Sequence, residues 1–344
     1  MLTLQNSFED LMSHEAVRRT VGQFIPAFIL DLVQPEQRKM TLAELKEQVR
    51  LPWGAGFPSE DVLVAANFAL ELARGDKYEI VPLWKLPEKD GSVYLITPAR
   101  KACTPGAKRP AAIICPGGAY STLAIPSEGV AYADALTEKG FAPFVLAYSV
   151  APNRYPQPHE DLALAIKYVR KNAEAYGLDP KELMLIGSSA GGHLCASFAA
   201  SPDEYEGLLM EDLEKKNPAL AEQYKDVSVT PQRLALGYPA ISFIDLPDDD
   251  PCYFALTGGD GSLREKMSVE TQVTADFPKT FIWACEDDEL VPVTDHAVRL
   301  HRALDLAHTD NKLCLYPTGG HGCGLGDGTS AAGWLDVMLD YMKK

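Results

Sequence analysis

Apolar positions along this chain change their spacing near residue 76. Before that point they recur at helical intervals. Thr41 and Glu44 form a capping box ahead of Leu42, Leu45 and Val49, and Pro58-Ser59-Glu60-Asp61 opens a second helix that Gly75 stops. Residues 1–75 are therefore read as a helical N-terminal appendage. After Asp76, short apolar runs alternate with amphipathic stretches over 76–344. Tyr78–Trp84 and Val93–Pro98 flank Asp90-Gly91, a dipeptide suited to a tight turn, and predict an antiparallel hairpin. Apolar runs at 111–115, 144–149, 183–186, 234–238, 280–285 and 312–316 predict strands. Between them 128–139, 160–176, 192–200, 294–307 and 330–342 predict helices; in 160–176, Leu162, Ile166, Val169 and Ala173 share one face. Strands alternating with helices place the chain in the α/β class, with a mostly parallel sheet covered by helices on both faces. Residues 201–230 are acidic, lysine-bearing and amphipathic, and are read as an insertion over the top of the sheet.

One strand-to-helix junction carries candidate chemistry. The run Leu183-Met184-Leu185-Ile186 leads into Gly187-Ser188-Ser189-Ala190-Gly191-Gly192-His193, so Ser189 sits on the turn between a buried strand and a helix. A serine there presents its hydroxyl at the sheet edge, and Gly187 and Gly191 let neighbouring backbone pass close by. A serine hydroxyl is a weak nucleophile until a base takes its proton. Of seven histidines, His321 lies on a glycine-flanked loop directly after a strand, in Thr318-Gly319-Gly320-His321-Gly322. His193 is read as structural, His159 as a capping or surface residue, and His296, His301 and His308 as solvated on a surface helix. The base needs a carboxylate to fix its tautomer. Glu286-Asp287-Asp288-Glu289 closes the strand ahead of Pro292; Asp288 is the preferred acid, with Asp287 in reserve. An oxyanion would find backbone donors at Gly118 and Ala119, where Pro116-Gly117-Gly118-Ala119-Tyr120 leaves a strand, and at the amide of Ala190. Tyr120 and Glu128, close in sequence to that turn, are open to two readings: a border on the alcohol side of a substrate pocket, or a packing role. Trp53 and Phe57 are open to three readings: a pocket wall, a subunit contact, or simple docking onto the main domain.

Composition narrows the partners. With 344 residues and 46% hydrophobic content, the chain can bury one large core plus a small appendage. A net charge of −16 argues against nucleic acid and anionic membranes, both of which need a basic footprint. No run approaches the ~20 apolar residues of a membrane helix, and Met1–Asp10 lacks a targeting pattern, so a cytoplasmic location is expected. The seven cysteines are scattered and mostly set in apolar strands; they are read as reduced, and none is spaced for zinc.

Pro116-Gly117-Gly118, Ser127-Glu128-Gly129, Tyr155-Pro156 before Asp161, the Gly187–His193 segment, Asp288 with Val291-Pro292, and Gly320-His321-Gly322 together resemble the esterase and lipase group of α/β hydrolases. The branch they most resemble is the bacterial acetyl esterases linked to acetylated xylan. The resemblance spans about Tyr78 to Lys344. It implies an α/β hydrolase fold and a serine esterase for short acyl groups, without metal or other cofactor, acting on a small-molecule or oligosaccharide ester. Ser189, Asp288 and His321 would be the triad; Gly118, Ala119 and Ala190 would form the oxyanion hole. A homo-oligomer is an open expectation. The family's common His-Gly-Gly-Gly appears here as Pro116-Gly117-Gly118-Ala119, which keeps the amides and alters what packs behind them. An arylformamidase or a small peptidase would use the same triad. A binding protein on a decayed hydrolase fold is the alternative from another class.

Overall fold

The computed structural model describes residues 1–52, 54, 56–84 and 93–343; Trp53 and the expected Asp90-Gly91 turn lie outside the described residues. Among the described residues five α-helices precede the sheet: α1 (Phe8–Ser13), α2 (Glu15–Phe24), α3 (Ala27–Asp31), α4 (Leu42–Gln48) and α5 (Ser59–Arg74). The Thr41 hydroxyl accepts from Glu44 N at 3.2 Å and the Glu44 carboxylate from Thr41 N at 2.8 Å, so two otherwise orphaned amides start α4. Gly75, at φ +62°, ends α5 in the left-handed conformation. The buried face of α5 includes Val62, Ala65, Phe68 and Ala69. Phe68 packs edge-on to Phe24 of α2 at 5.1 Å and to Tyr78 at 5.6 Å, which joins the helices to the first strand. Phe57 is buried.

Eight strands form one sheet: β1 (Tyr78–Pro82), β2 (Tyr94–Pro98), β3 (Arg109–Cys115), β4 (Ala142–Ala147), β5 (Leu178–Ser188), β6 (Arg233–Gly237), β7 (Lys279–Cys285) and β8 (Asn311–Tyr316). Their order is β1-β2-β4-β3-β5-β6-β7-β8. β1 pairs antiparallel with β2, as expected, with Tyr78 opposite Pro98, and β2 is antiparallel to β4; every later pair is parallel. The chain has the α/β hydrolase fold. The central strands read as unbroken apolar runs because helices cover both faces. Cys115 stands opposite Gly187, Gly237 opposite Trp283 and Cys285 opposite Tyr316, so β3, β5, β6, β7 and β8 all end at one edge. The loops that leave that edge carry the site.

The covering helices are α6 (Ala131–Glu138), α7 (Gln157–Lys171), α8 (Ala173–Tyr176), α9 (Ala190–Ala200), α10 (Pro202–Lys216), α11 (Pro218–Tyr224), α12 (Pro251–Thr257), α13 (Ala297–Leu306) and α14 (Trp334–Met342). The helices expected over 294–307 and 330–342 start late, at Ala297 and Trp334, and two others differ in form. The one expected over 128–139 begins as a π-helical turn, Ile125–Val130, before α6. That expected over 160–176 breaks at Asn172, whose carboxamide donates to Tyr168 O at 2.8 Å and so competes with the backbone ladder. The 201–230 stretch, expected over the top of the sheet, instead packs α10 and α11 against α7. The fully buried Lys167 side chain of α7 binds the Glu206 carboxylate and the carbonyls of Tyr224 (3.1 Å) and Val227 (2.5 Å). Among the described residues no helix is long and apolar enough to cross a membrane.

Candidate active site

Ser189 joins β5 to α9 at φ +52°, ψ −121°, backbone angles that a non-glycine residue adopts only when its surroundings hold it there. Those surroundings explain the two glycines. A Cβ on Gly187 would lie 2.2 Å from Gly191 O, and one on Gly191 would lie 2.0 Å from Cys115 O. Ser189 N–H donates to Gly237 O at 2.9 Å, and Ser189 O accepts from Ala240 N at 3.2 Å, so the turn is tied to the end of β6. His321 Nε2 lies 2.8 Å from Ser189 Oγ, and His321 Nδ1 lies 2.7 Å from Asp288 Oδ2. Because a carboxylate can only accept, Nδ1 carries the proton and Nε2 is free to accept from the serine hydroxyl.

The two candidate acids divide the work between them. Asp288 is buried beside His321, and its second oxygen accepts from Leu290 N (3.0 Å) and Val291 N (2.9 Å). Asp287 accepts from Gly320 N (2.7 Å) and Gly319 N (3.2 Å), which anchors the loop carrying the imidazole. The same two amides hold the Asp287 carboxyl below the usual carboxylate range.

The turn after β3 runs through three positive φ values, Gly118 at +132°, Ala119 at +51° and Tyr120 at +54°. Only glycine fits at 118, since a Cβ there would lie 2.2 Å from Thr122 O. Among the described residues the amides of Gly118, Ala119 and Ala190 have no hydrogen-bond partner. Ala190 also opens α9, whose first turn favours negative charge.

Ala119, Ser189 and His321 line a cavity of about 390 Å³. Its apolar wall includes Phe243, Leu246, Pro251, Leu290, Val291 and Pro292, and its polar wall includes Ser242, Asp245, Asp295, His296 and Arg299. These come from the segments after β6 and β7, including Pro251 at the start of α12 and Arg299 in α13; no residue of 201–230 contributes. The reading of Tyr120 and Glu128 as bordering the substrate is corrected. Tyr120 is 1% exposed and bonds His193 Nδ1 at 2.7 Å, while Glu128 is 4% exposed, and neither lines the cavity. The positive φ of Ala119 and Tyr120 turns the tyrosine inward rather than toward solvent. His193 is fixed on its other side by Met267 O at 2.7 Å, and burial lowers its pKa to about 4, so it is neutral. His159 is buried rather than at the surface, stacked 4.4 Å from Tyr205.

His296 was missed by the sequence reading. Expected to be solvated on a helix, it is buried in the cavity wall one residue ahead of α13. Its Nδ1 accepts from Ile241 N (3.0 Å) and Ser242 N (3.3 Å), so the proton is on Nε2; burial lowers its pKa to about 4. The available signal was its place four residues beyond Pro292, in the segment that also supplies Asp288.

With this geometry established, comparison with known proteins fixes the lineage. The BD-FAE family profile matches residues 101–304, more than half of the chain. The chain belongs to the BD-FAE family. This BD-FAE chain is 31% identical over 238 residues to endo-1,4-beta-xylanase B of Butyrivibrio fibrisolvens, a match covering 66% of this chain and 34% of that protein. It is 28% identical over 216 residues to an acetylxylan esterase of Xylanibacter ruminicola, covering 61% and 40% respectively. The matches thus span well under half the length of these two curated relatives. Among solved structures, an acetyl ester-xyloside bifunctional hydrolase from Caldicellulosiruptor lactoaceticus superposes with a TM-score of 0.63 at 28% identity, over 77% of this chain and 95% of that one.

Proposed function

We propose that this BD-FAE family protein is a serine carboxylesterase that cleaves short-chain acyl esters, acetyl foremost, from carbohydrate alcohols. The carrying observation is the continuous relay from Ser189 Oγ to His321 Nε2 at 2.8 Å and from His321 Nδ1 to Asp288 at 2.7 Å, on the wall of a cavity. Ser189 Oγ attacks the ester carbonyl carbon as its proton passes to His321 Nε2. The resulting oxyanion accepts from the amides of Gly118, Ala119 and Ala190, each such donor lowering the barrier by about 3 kcal/mol. Asp288 stabilises the imidazolium. Collapse expels the alcohol, which takes the proton from His321, and leaves Ser189 acylated. Water then repeats the cycle and releases the acid. Acetyl groups and sugar alcohols are favoured by the acetylxylan esterase and the acetyl ester-xyloside hydrolase among the relatives. The wall aspartates 245, 250 and 295, set against the single Arg299, favour a neutral, hydroxyl-rich alcohol over an anionic one.

The test compares wild type with Ser189→Ala on nitrophenyl acetate, nitrophenyl octanoate and an acetylated xylo-oligosaccharide. Fast acetate release by the wild type and background rates in the folded alanine variant are expected. Wild-type inactivity on all three would remove the esterase reading and turn attention to aryl formamides, peptides or a non-catalytic role.

A further inference from the structure

Among the buried carboxylates that the relay does not use, Glu128 lies against the site. Glu128 lies in the π-helical turn Ile125–Val130, is 4% exposed, and among the described residues has no lysine or arginine in ion-pair contact. Its two oxygens hold two different parts of the site. Oε2 accepts from Gly117 N at 2.6 Å, at the start of the turn that carries the Gly118 and Ala119 amides. Oε1 accepts from the Tyr238 hydroxyl at 2.8 Å. That hydroxyl accepts in turn from Gly324 N at 3.1 Å, three residues beyond His321, and the Tyr238 ring stands edge-on to the imidazole with centroids 5.0 Å apart. A Cβ on Gly117 would lie 2.8 Å from both Glu128 Oε2 and Ser189 Cβ, so carboxylate and nucleophile press on the same glycine from two sides. Both oxygens face donors, an arrangement that favours the ionised form against the cost of burial.

We infer that Glu128 is a positioning residue: its carboxylate pins the oxyanion turn and the His321 loop to one another and sets a second buried negative charge near the imidazole. The inference rests on reading Ser189, His321 and Asp288 as the hydrolytic relay. In that relay His321 becomes an imidazolium whenever it holds the serine proton, and a nearby fixed anion favours that state. Burial holds the Glu128 pKa above the usual carboxylate value; the Gly117 and Tyr238 donors and a charged His321 pull against that rise, and Asp61 of α5 adds to it. The other groups facing it are Tyr132 of α6, Tyr148 after β4, Tyr238 after β6 and Cys323 in the histidine loop. Asp288 is the remaining carboxylate against His321. The helical segment ahead of the sheet also reaches this network, because Asp61 is partnered by Ser127 in the same π-helical turn.

The experiment measures kcat and KM on nitrophenyl acetate across pH for the full chain, Glu128→Gln and Tyr238→Phe, with circular dichroism and thermal melting as the check on folding. Glu128→Gln keeps the shape, removes the charge and loses one acceptor. It is expected to lower kcat about tenfold or more with KM nearly unchanged, and to move the acid limb of kcat/KM down by about half a pH unit, because an imidazole without that anion protonates less readily. Tyr238→Phe keeps the charge and breaks the bridge to Gly324; kcat is expected to fall by a smaller factor with the acid limb in place. A Glu128→Gln profile with an unmoved acid limb would overturn the electrostatic role, and unchanged kcat in either variant would overturn the positioning role. If Glu128→Gln does not fold, the Tyr238→Phe split between kcat and KM decides. An inert wild type would defeat the hydrolytic reading itself, an outcome distinct from any difference between variants.

Discussion

Replacing Asp288 with asparagine isolates the step on which the proposed mechanism depends most. The carboxylate is anchored at both ends: one oxygen accepts from Leu290 N and Val291 N at 3.0 and 2.9 Å, and the other meets His321 Nδ1 at 2.7 Å. An asparagine placed there has a single acceptor oxygen. Two backbone donors claim it, so the amide nitrogen, which only donates, must face His321 Nδ1. The imidazole can meet that donor only by moving its own proton to Nε2. Nε2 then donates toward Ser189 Oγ and can no longer take its proton. The loss expected for an inverted tautomer with intact geometry is about 10⁴ in kcat, or roughly 5.5 kcal/mol of barrier. Asp287→Asn is the matched control. Its carboxyl is solvent-facing and grips Gly319 and Gly320 rather than the imidazole, so it should cost less than about tenfold. Both variants would be assayed on nitrophenyl acetate, with thermal melts to show retained folding. The reasoning fails if Asp288→Asn stays within tenfold of wild type, or if Asp287→Asn falls as far.

Two other predictions concern stability and a third the N-terminal helices. Ser189 holds φ +52°, which glycine adopts freely and alanine does not, so Ser189→Gly should melt about 1–2 °C above Ser189→Ala, reflecting about 1 kcal/mol of backbone strain, with both inactive; equal melting temperatures would contradict the strain. His193 and His296 both have pKa values lowered to about 4 by burial, from an ordinary 6.5. Above pH 6.5 both forms of the chain are neutral at these sites and the full stability is present; below it the unfolded chain binds protons that the fold refuses. Urea unfolding should therefore show each histidine costing about 2 kcal/mol between pH 7.5 and 5, and His193→Gln, though weaker at pH 7.5, should lose less on acidification; a variant as acid-sensitive as wild type would refute this. Deleting residues 1–75 should lower both solubility and kcat, because α5 packs on β1 and on the Ile125–Val130 turn that holds Glu128; a soluble, fully active fragment would remove that coupling.

Some of the site is legible in sequence because close backbone approach leaves little choice of residue. Gly187 and Gly191 cannot carry a Cβ, and Gly118 faces the same restriction, so the nucleophile turn and the turn after β3 announce themselves as glycine patterns. Other parts follow from chain order along a parallel sheet: a base after β8 and an acid after β7 both arrive at the edge where β5 ends. What separates Asp288 from Asp287 is a backbone event. The turn closed by Asp288 N–H on Cys285 O at 3.1 Å sends one carboxylate inward and its neighbour toward the glycine loop. Cavity walls are harder to read, since Phe243 and Leu246 meet Leu290 and Pro292 from loops without periodicity. A helix start set at 294 rather than 297 was enough to place His296 in solvent instead of in the wall.

Tyr120 and Glu128 show the limit most clearly. Their nearness in sequence to the glycine turn located them correctly in space but left the facing open: Tyr120 follows two residues at positive φ, and Glu128 stands in the Ile125–Val130 turn against Gly117. Facing is what separates a residue that touches substrate from one that holds the residues that do. Both side chains lie behind the turn rather than in front of it, bonded to His193 and to Gly117. Sequence proximity to a motif therefore identifies the neighbourhood of a site, while the local backbone conformation decides on which side of the wall a side chain stands.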